Sequence, residues 1–162
     1  MANPHFYRAR LTWTGGDHGP AVNYEGYSRA FRIDLPGKQP IEGSADPSYR
    51  GHADRVNPEE LLVASVSSCH LLTYLALAVR NRMDVISYED EAEGIMQMQD
   101  DKMRVTDIIL RPSVVLAAGA DLDKALALHD QAHDQCFVAN SVTCDIRVEA
   151  MITVHEPDHS GS

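Results

Sequence analysis

Basic charge and cysteine are the scarce commodities of this chain. Only 14 of its 162 residues are Lys or Arg, against 24 Asp and Glu, so the formal net charge is −10. A surface of that sign repels phosphate backbones and anionic headgroups, which argues against a nucleic-acid partner or a membrane partner. The three cysteines are well separated and do not make a disulfide framework. The first residues, "MANPHFYRAR", contain no apolar core of a signal peptide, so the expected compartment is a reducing cytoplasm. No internal repeat, low-complexity stretch or linker divides the sequence. With 44% hydrophobic and 23% charged residues it reads as one soluble globular domain over 1–162. The core is expected over about 5–155, with a flexible tail at 156–162.

One long hydrophobic run is present. Leu61 to Val79 is a stretch of 19 uncharged, largely apolar residues, close to the length that spans a bilayer. Ser65, Ser67, Ser68, His70, Thr73 and Tyr74 interrupt it, and a histidine near a bilayer centre is costly without a partner. The run therefore reads as a central helix with protein on most sides. Its start is well marked: Asn57 as N-cap, Pro58 at the first helical position, then Glu59 and Glu60 complementing the dipole. Its end is expected near Asn81–Met83.

Elsewhere the spacing predicts strands. Alternating apolar residues over His5–Thr14 and Tyr27–Leu35, joined through "TGGDHG", predict a half-buried hairpin. Pro36–Val56 has the composition of a long loop, a length that tends to carry function. The segment from Val85 predicts two strands joined around Gln99–Lys102, the second interrupted by Pro112. A second helix is expected from Asp121 to about Gln135, with Leu122, Ala125, Leu126, His129, Ala132, His133 and Cys136 along one side. Val142–Val154 alternates most regularly and predicts one last strand. The order β-β, loop, α, β-β, α, β is an α+β pattern.

The chemistry-bearing residues admit more than one reading. Cys144 shares an apolar strand face with Val142 and Ile146, where a thiol is a small hydrophobe. Cys69 lies among Leu62, Val66, Leu72, Thr73 and Ala76 at helical spacing; burial there raises a thiol pKa, whereas a nucleophile needs it lowered. His70 adds little, because adjacent helix residues point in different directions. Cys136 follows His129, Asp130, His133 and Asp134. Two imidazoles four residues apart with a thiol one turn on could hold a metal, and an exposed polar helix face explains the same residues. No Cys-x-x-Cys accompanies them.

"NPEELLVASVSSC" (57–69) resembles the helix-start motif of the osmotically inducible protein C / organic hydroperoxide resistance (OsmC/Ohr) family. Glu59 and Cys69 keep that family's ten-residue interval, and "CFVANSV" (136–142) is similar to the context of its second cysteine. The order of elements matches from Tyr7 to His155. The resemblance implies an OsmC-like fold, with antiparallel sheets around two long central helices, in an intertwined homodimer with sites at the interface. It implies thiol-dependent reduction of organic hydroperoxides: Cys69 as peroxidatic nucleophile, Cys136 as resolving thiol, and a Cys69–Cys136 disulfide as the product. Glu59 would hold an arginine that offsets desolvation of the thiolate; Arg50 is favoured, with Arg55 the alternative. No metal or cofactor is implied, and the reductant would be a dithiol, lipoyl groups serving some relatives. Two departures stand near the implied pocket: Phe137 in place of a usual proline and His70 in place of a usual phenylalanine. They bear on substrate preference and on resolving efficiency. A noncatalytic reading uses the same dimeric scaffold to hold an apolar ligand or to sense oxidation.

Overall fold

A computed structural model describes residues 3–155; the expected tail at 156–162 lies outside the described residues. Contacts divide the chain into two units, Met1–Leu61 and Leu62–Ser162. In the first, β1 (Arg10–Trp13), β2 (Phe31–Asp34) and β3 (Ile41–Gly43) form an antiparallel sheet in that order. The predicted hairpin is there, but β1 is shorter than its alternation suggested and exposed along its length. Only Arg10–Trp13 find partners, because β2 offers just four residues, Phe31–Asp34, across from them. The stretch expected as loop contains β3 and a 3-10 turn at Pro47–Tyr49. Asp46 caps that turn by accepting from the Ser48 N–H at 2.7 Å.

The helix start is built locally. Asn57 Oδ1 accepts from the Glu60 N–H at 2.8 Å, and Glu60 Oε2 accepts from the Asn57 N–H at 3.0 Å. This reciprocal box satisfies two donors that a helix end would leave bare. From it α1 runs Pro58–Arg80. It ends where Arg82 adopts a left-handed φ of 58°, with Met83 N–H bonded to Ala78 O at 2.9 Å and Arg82 N–H to Val79 O at 3.0 Å. That pair of bonds is the Schellman closure, with an arginine where glycine is usual.

In the second unit, after α1, the described residues make six strands, β4 (Val85–Asp90), β5 (Glu93–Gln99), β6 (Lys102–Leu110), β7 (Pro112–Leu116), β8 (Asp145–Val148) and β9 (Met151–Val154), and a second α-helix, α2 (Leu122–Gln135). They form two sheets, β4-β7-β9 and β5-β6-β8. Asp100 and Asp101, both at positive φ, close the tight β5–β6 turn where it was expected. Pro112 does not merely interrupt a strand; it begins a new one in the other sheet. Arg111 at the junction gives its N–H to Asp90 Oδ1 at 2.7 Å, and proline has none to give.

The expectation of purely antiparallel sheets is corrected, since β8 pairs parallel with β6, and β9 parallel with β7. The predicted last strand is also two strands. Asp107 faces Asp145 before the break and Ser113 faces Met151 after it, so the register survives while the chain passes between sheets. A single alternation therefore spans two strands, and alternation alone cannot show the bend.

Two clusters form the core of this unit. Tyr74, Leu77 and Ala78 of α1 pack with Val114 and Leu116 of β7 and with Ala125, Leu128 and Ala132 of α2. Val66 packs with Ile108 and Leu110 of β6. On α1 the buried residues are Val66, His70, Tyr74, Leu77 and Ala78, one stripe at helical spacing. Leu72 is 66% and Val79 72% exposed, so this chain covers one side of the helix rather than most of it. By length and composition α1 is apolar enough to cross a membrane, but its buried stripe is committed to the sheets and α2. On α2, Leu128 rather than Leu126 joins Ala125, His129 and Ala132 inside.

The loop that carries Arg50 depends on Gly51. A Cβ there would stand 1.5 Å from the Ala45 carbonyl oxygen, while Gly51 N–H bonds to Asp46 O at 3.0 Å. Gly51→Ala should therefore lower stability by roughly 3 kcal/mol, because a backbone atom rather than a flexible side chain must move. Urea unfolding of the two proteins tests this; a change within experimental scatter would contradict the described loop.

Candidate functional site

The inward stripe of α1 determines where its cysteine points. Successive helix residues differ by about 100°, so with His70 buried the side chain of Cys69 faces the rim. There it lines a groove of about 740 Å³ with Ser65, Leu72, Thr73, Ala76, Arg80, Phe137 and Val138. Cys136 caps the end of α2 with an extended backbone (φ −70°, ψ 113°) and is fully buried. The two thiols are neighbours, each shifting the other's pKa, and no disulfide joins them. Thus the structure brings together Cys69 and Cys136, which lie 67 positions apart in the sequence.

Their electrostatics diverge. Partial burial pushes the Cys69 thiol up, but hydrogen bonds from Cys136, from the backbone N–H groups of Val138 and Phe137, and from Thr73 outweigh it and leave the pKa lowered. Burial pushes Cys136 up to about 11; the bond to Cys69 and the charge of its thiolate add to this, against smaller opposing bonds from Ala139 and Val138. One thiol is thereby favoured as the anion and the other as the proton-bearing donor. Cys144 lies elsewhere, packed against the second core cluster beside a cleft lined by His133, Ala139, Asp145 and Arg147. Its pKa is raised, first by burial. It precedes β8 rather than lying within the predicted strand.

The histidines do different work from the metal set considered from spacing. His70 Nε2 and His129 Nδ1 are 3.0 Å apart, and the His129 ring stacks on Tyr74 at a centroid distance of 4.0 Å. His129 is therefore engaged with α1. Among the described residues no group of three or more His, Cys, Asp or Glu side chains converges as a metal site. From sequence, His70 was assigned no partner. Its signal was a lone imidazole on the buried side of a helix, which requires a polar partner.

In the first unit, Glu59 lines a cleft of about 320 Å³ together with Trp13, Tyr27, Arg29, Phe31 and Tyr49. Arg50 takes a left-handed φ of 64° and lies 6.0 Å from the Tyr24 ring. Arg55 approaches Glu42 at 3.8 Å. Neither forms an ion pair with Glu59 among the described residues of this unit. The arginine in the cleft with Glu59 is Arg29, which went unmarked in the sequence. It stacks on Tyr27 at 3.8 Å and Tyr24 at 4.8 Å, and donates to the carbonyl oxygens of both residues.

A model of the OsmC-like protein family matches residues 51–151, a span that includes Glu59, Cys69 and Cys136. The chain belongs to the OsmC/Ohr family. Arg50 falls one residue before the matched span. An OsmC-like protein of unknown function from Vibrio cholerae is 34% identical, with a TM-score of 0.85 over 91% of this chain and all of that one. Uncharacterized protein YmaD of Bacillus subtilis is 24% identical over 157 residues, 95% of this chain and 97% of that protein. An organic hydroperoxide resistance protein from Elizabethkingia anophelis shares the fold, with a TM-score of 0.70 at 18% identity over 96% of this chain and all of that one. The OsmC-like fold is thus an α+β arrangement of open sheets with α1 and α2, which here are 23 and 14 residues long.

The histidine pair also makes acid stability predictable. Burial pushes His70 down to about 4, with Asp90 opposing and His133 adding. Burial, then His70, pushes His129 down to about 4. Both folded values lie below the ordinary 6.5, so between these pH values the unfolded chain binds more protons. Stability present above about pH 6.5 is lost as pH falls towards 4, on the order of 2 kcal/mol per histidine. Urea midpoints at pH 7 and 4.5 should show the loss, and it should shrink in a His70→Phe/His129→Leu double variant. Equal losses in both proteins would remove the histidines from the account.

Proposed function

We propose that this OsmC/Ohr protein is a thiol peroxidase that reduces organic hydroperoxides. The observation that carries the reading is the Cys69–Cys136 pair: neighbouring, shifted in opposite directions, with Cys69 on a largely apolar groove that Gln135, Phe137 and Val138 beside Cys136 also line. The Cys69 thiolate attacks the terminal peroxide oxygen, the O–O bond breaks, and the alkoxide takes a proton to leave as alcohol. Cys69 becomes a sulfenic acid. Cys136 sulfur then attacks it, a proton completes the departing water, and a Cys69–Cys136 disulfide remains. A dithiol, lipoyl-type among the possibilities, returns both cysteines to thiols by exchange. The apolar walls at Leu72, Ala76 and Val138 suit an alkyl or lipid peroxide better than hydrogen peroxide.

Peptide mapping after one equivalent of an alkyl hydroperoxide should recover a 69–136 bridge. Cys69→Ser should abolish turnover with a dithiol. Cys136→Ser should allow one oxidation and then stall as the sulfenic acid. A dominant link through Cys144, or a Cys136→Ser protein cycling at the wild-type rate, contradicts the assignment. If no peroxide-dependent turnover occurs at all, the noncatalytic binder or redox sensor replaces this reading.

The working unit proposed is a homodimer. Glu59 and Cys69 are ten residues apart on one helix, about 15 Å along its axis, too far for direct contact. The exposed Leu72 and Val79 give α1 a second apolar side that a further copy would bury. In this arrangement Glu59, with Arg50 as its proposed arginine, supports the thiolate of the other protomer. Sedimentation should report a dimer at micromolar concentration, and mixed Glu59→Ala and Cys69→Ser chains should recover part of the activity. A fully active monomer rules the arrangement out.

A further inference from the structure

We propose that the cleft between α2 and the β8–β9 connection binds an aliphatic diammonium ion, a chain of methylenes with an ammonium at each end. The site is separate from the thiol groove and does not depend on the peroxidase reading. The cleft measures about 500 Å³, and Asp123, Leu126, Ala127, His129, Asp130 and Glu149 are among the residues that line it. On α2, Asp123, Leu126, Ala127 and Asp130 stand at i, i+3, i+4 and i+7, so two carboxylates bracket an apolar patch along one side of the helix. Leu126 in that patch is 49% exposed, whereas nearby Leu128 is buried in the core.

Most of the negative charge on this wall is unanswered. Glu149 is held by Arg111 at 3.3 Å, and Arg111 also binds Glu93 at 2.9 Å. Among the described residues no Lys or Arg pairs with Asp123 or Asp130. The dipole of α2 favours Asp123 in its first turn, but does nothing for Asp130 further along. An acidic helix face by itself is only a solvated surface. What distinguishes this one is His129, which lines the cleft yet is 2% exposed. Its Nδ1 is taken up on the α1 side by His70 Nε2 at 3.0 Å, so Nε2 is the ring nitrogen left for the cleft, and it has no partner. Leaving a buried polar atom unpaired is costly, and a donor arriving from the cleft offsets that cost.

The spacing of the acceptors decides the class of ligand. Asp123 and Asp130 are seven residues apart, about 10 Å along the helix axis, whereas a hard metal ion holds its oxygen ligands at about 2.0–2.6 Å. One metal ion cannot serve both carboxylates, but two ammonium groups joined by methylenes can. One ammonium pairs with Asp123, the other lies between Asp130 and His129 Nε2, and the methylenes cover Leu126 and Ala127. A donor at Nε2 also fixes the tautomers of the buried pair, with His129 Nδ1–H donating to His70 Nε2. The state of the imidazole therefore reports the ligand directly.

Spermidine is the probe, with butylamine and Mg²⁺ as comparisons, at about 0.15 M ionic strength so that attraction beyond about 8 Å is screened. In a titration near pH 7.5, followed by ¹⁵N NMR of the imidazole rings, spermidine should shift the His129 Nε2 signal to a plateau. Butylamine or Mg²⁺ at the same concentration should move it far less. Asp123→Asn/Asp130→Asn, which alters only exposed side chains, should weaken spermidine binding about tenfold in the same titration. Three results each overturn the proposal: an Nε2 signal that spermidine leaves in place, an unchanged affinity in the double variant, or Mg²⁺ acting as well as spermidine, the mark of diffuse counterion binding.

Discussion

The contact between His70 and His129 sets the rotation of α1 about its axis, and the arrangement of the thiols depends on that rotation. With His70 turned in, its hydrogen bond and the Tyr74–His129 stack leave α1 little freedom to roll on α2. Cys69 then faces the rim, because it stands one residue, about 100°, away. Cys136 follows His129 by seven residues, two turns along α2 and on nearly the same side. One polar contact between two helices therefore fixes the side of α1 from which Cys69 meets the residues around Cys136.

That contact has a cost which the surroundings partly offset. Two neutral imidazoles can share only one proton between the facing nitrogens, and His129 Nε2 remains without a partner in the described structure. Tyr74 stacks on the His129 ring with Tyr88 tilted beside it, and burial keeps both imidazoles uncharged near neutral pH. A pair of aliphatic residues would pack there without this penalty. Histidine instead gives a directional bond, which specifies one setting of the helices rather than several similar ones.

The thiol pair shows how little of an electrostatic environment need come from charged side chains. Cys69 and Cys136 are chemically identical in sequence, yet their affinities for a proton are pushed apart by burial, by their mutual bond and by peptide N–H groups.

Features with local causes were legible in the sequence. Asn57 and Glu60 cap α1 through atoms three residues apart, and Asp100 and Asp101 close a hairpin between their own neighbours, so short-range chemistry suffices for both. The motif joining Glu59 to Cys69 and the second cysteine context at Cys136 carried the family resemblance. Tertiary structure decided what depends on distant partners. The side of α1 turned inward was hidden because its run is uncharged on every side, and only β6, β7 and α2 select Val66, His70 and Tyr74. The alternation of 142–154 concealed a change of sheet, since a strand that bends keeps its period. No spacing could show that Arg29, rather than Arg50 or Arg55, lines the cleft with Glu59. Nor could it show that Phe137 and Val138, beside Cys136, would line one groove with Cys69. A side chain's identity is written in the sequence, but which distant residues stand beside it is set by the packing of the elements that carry them.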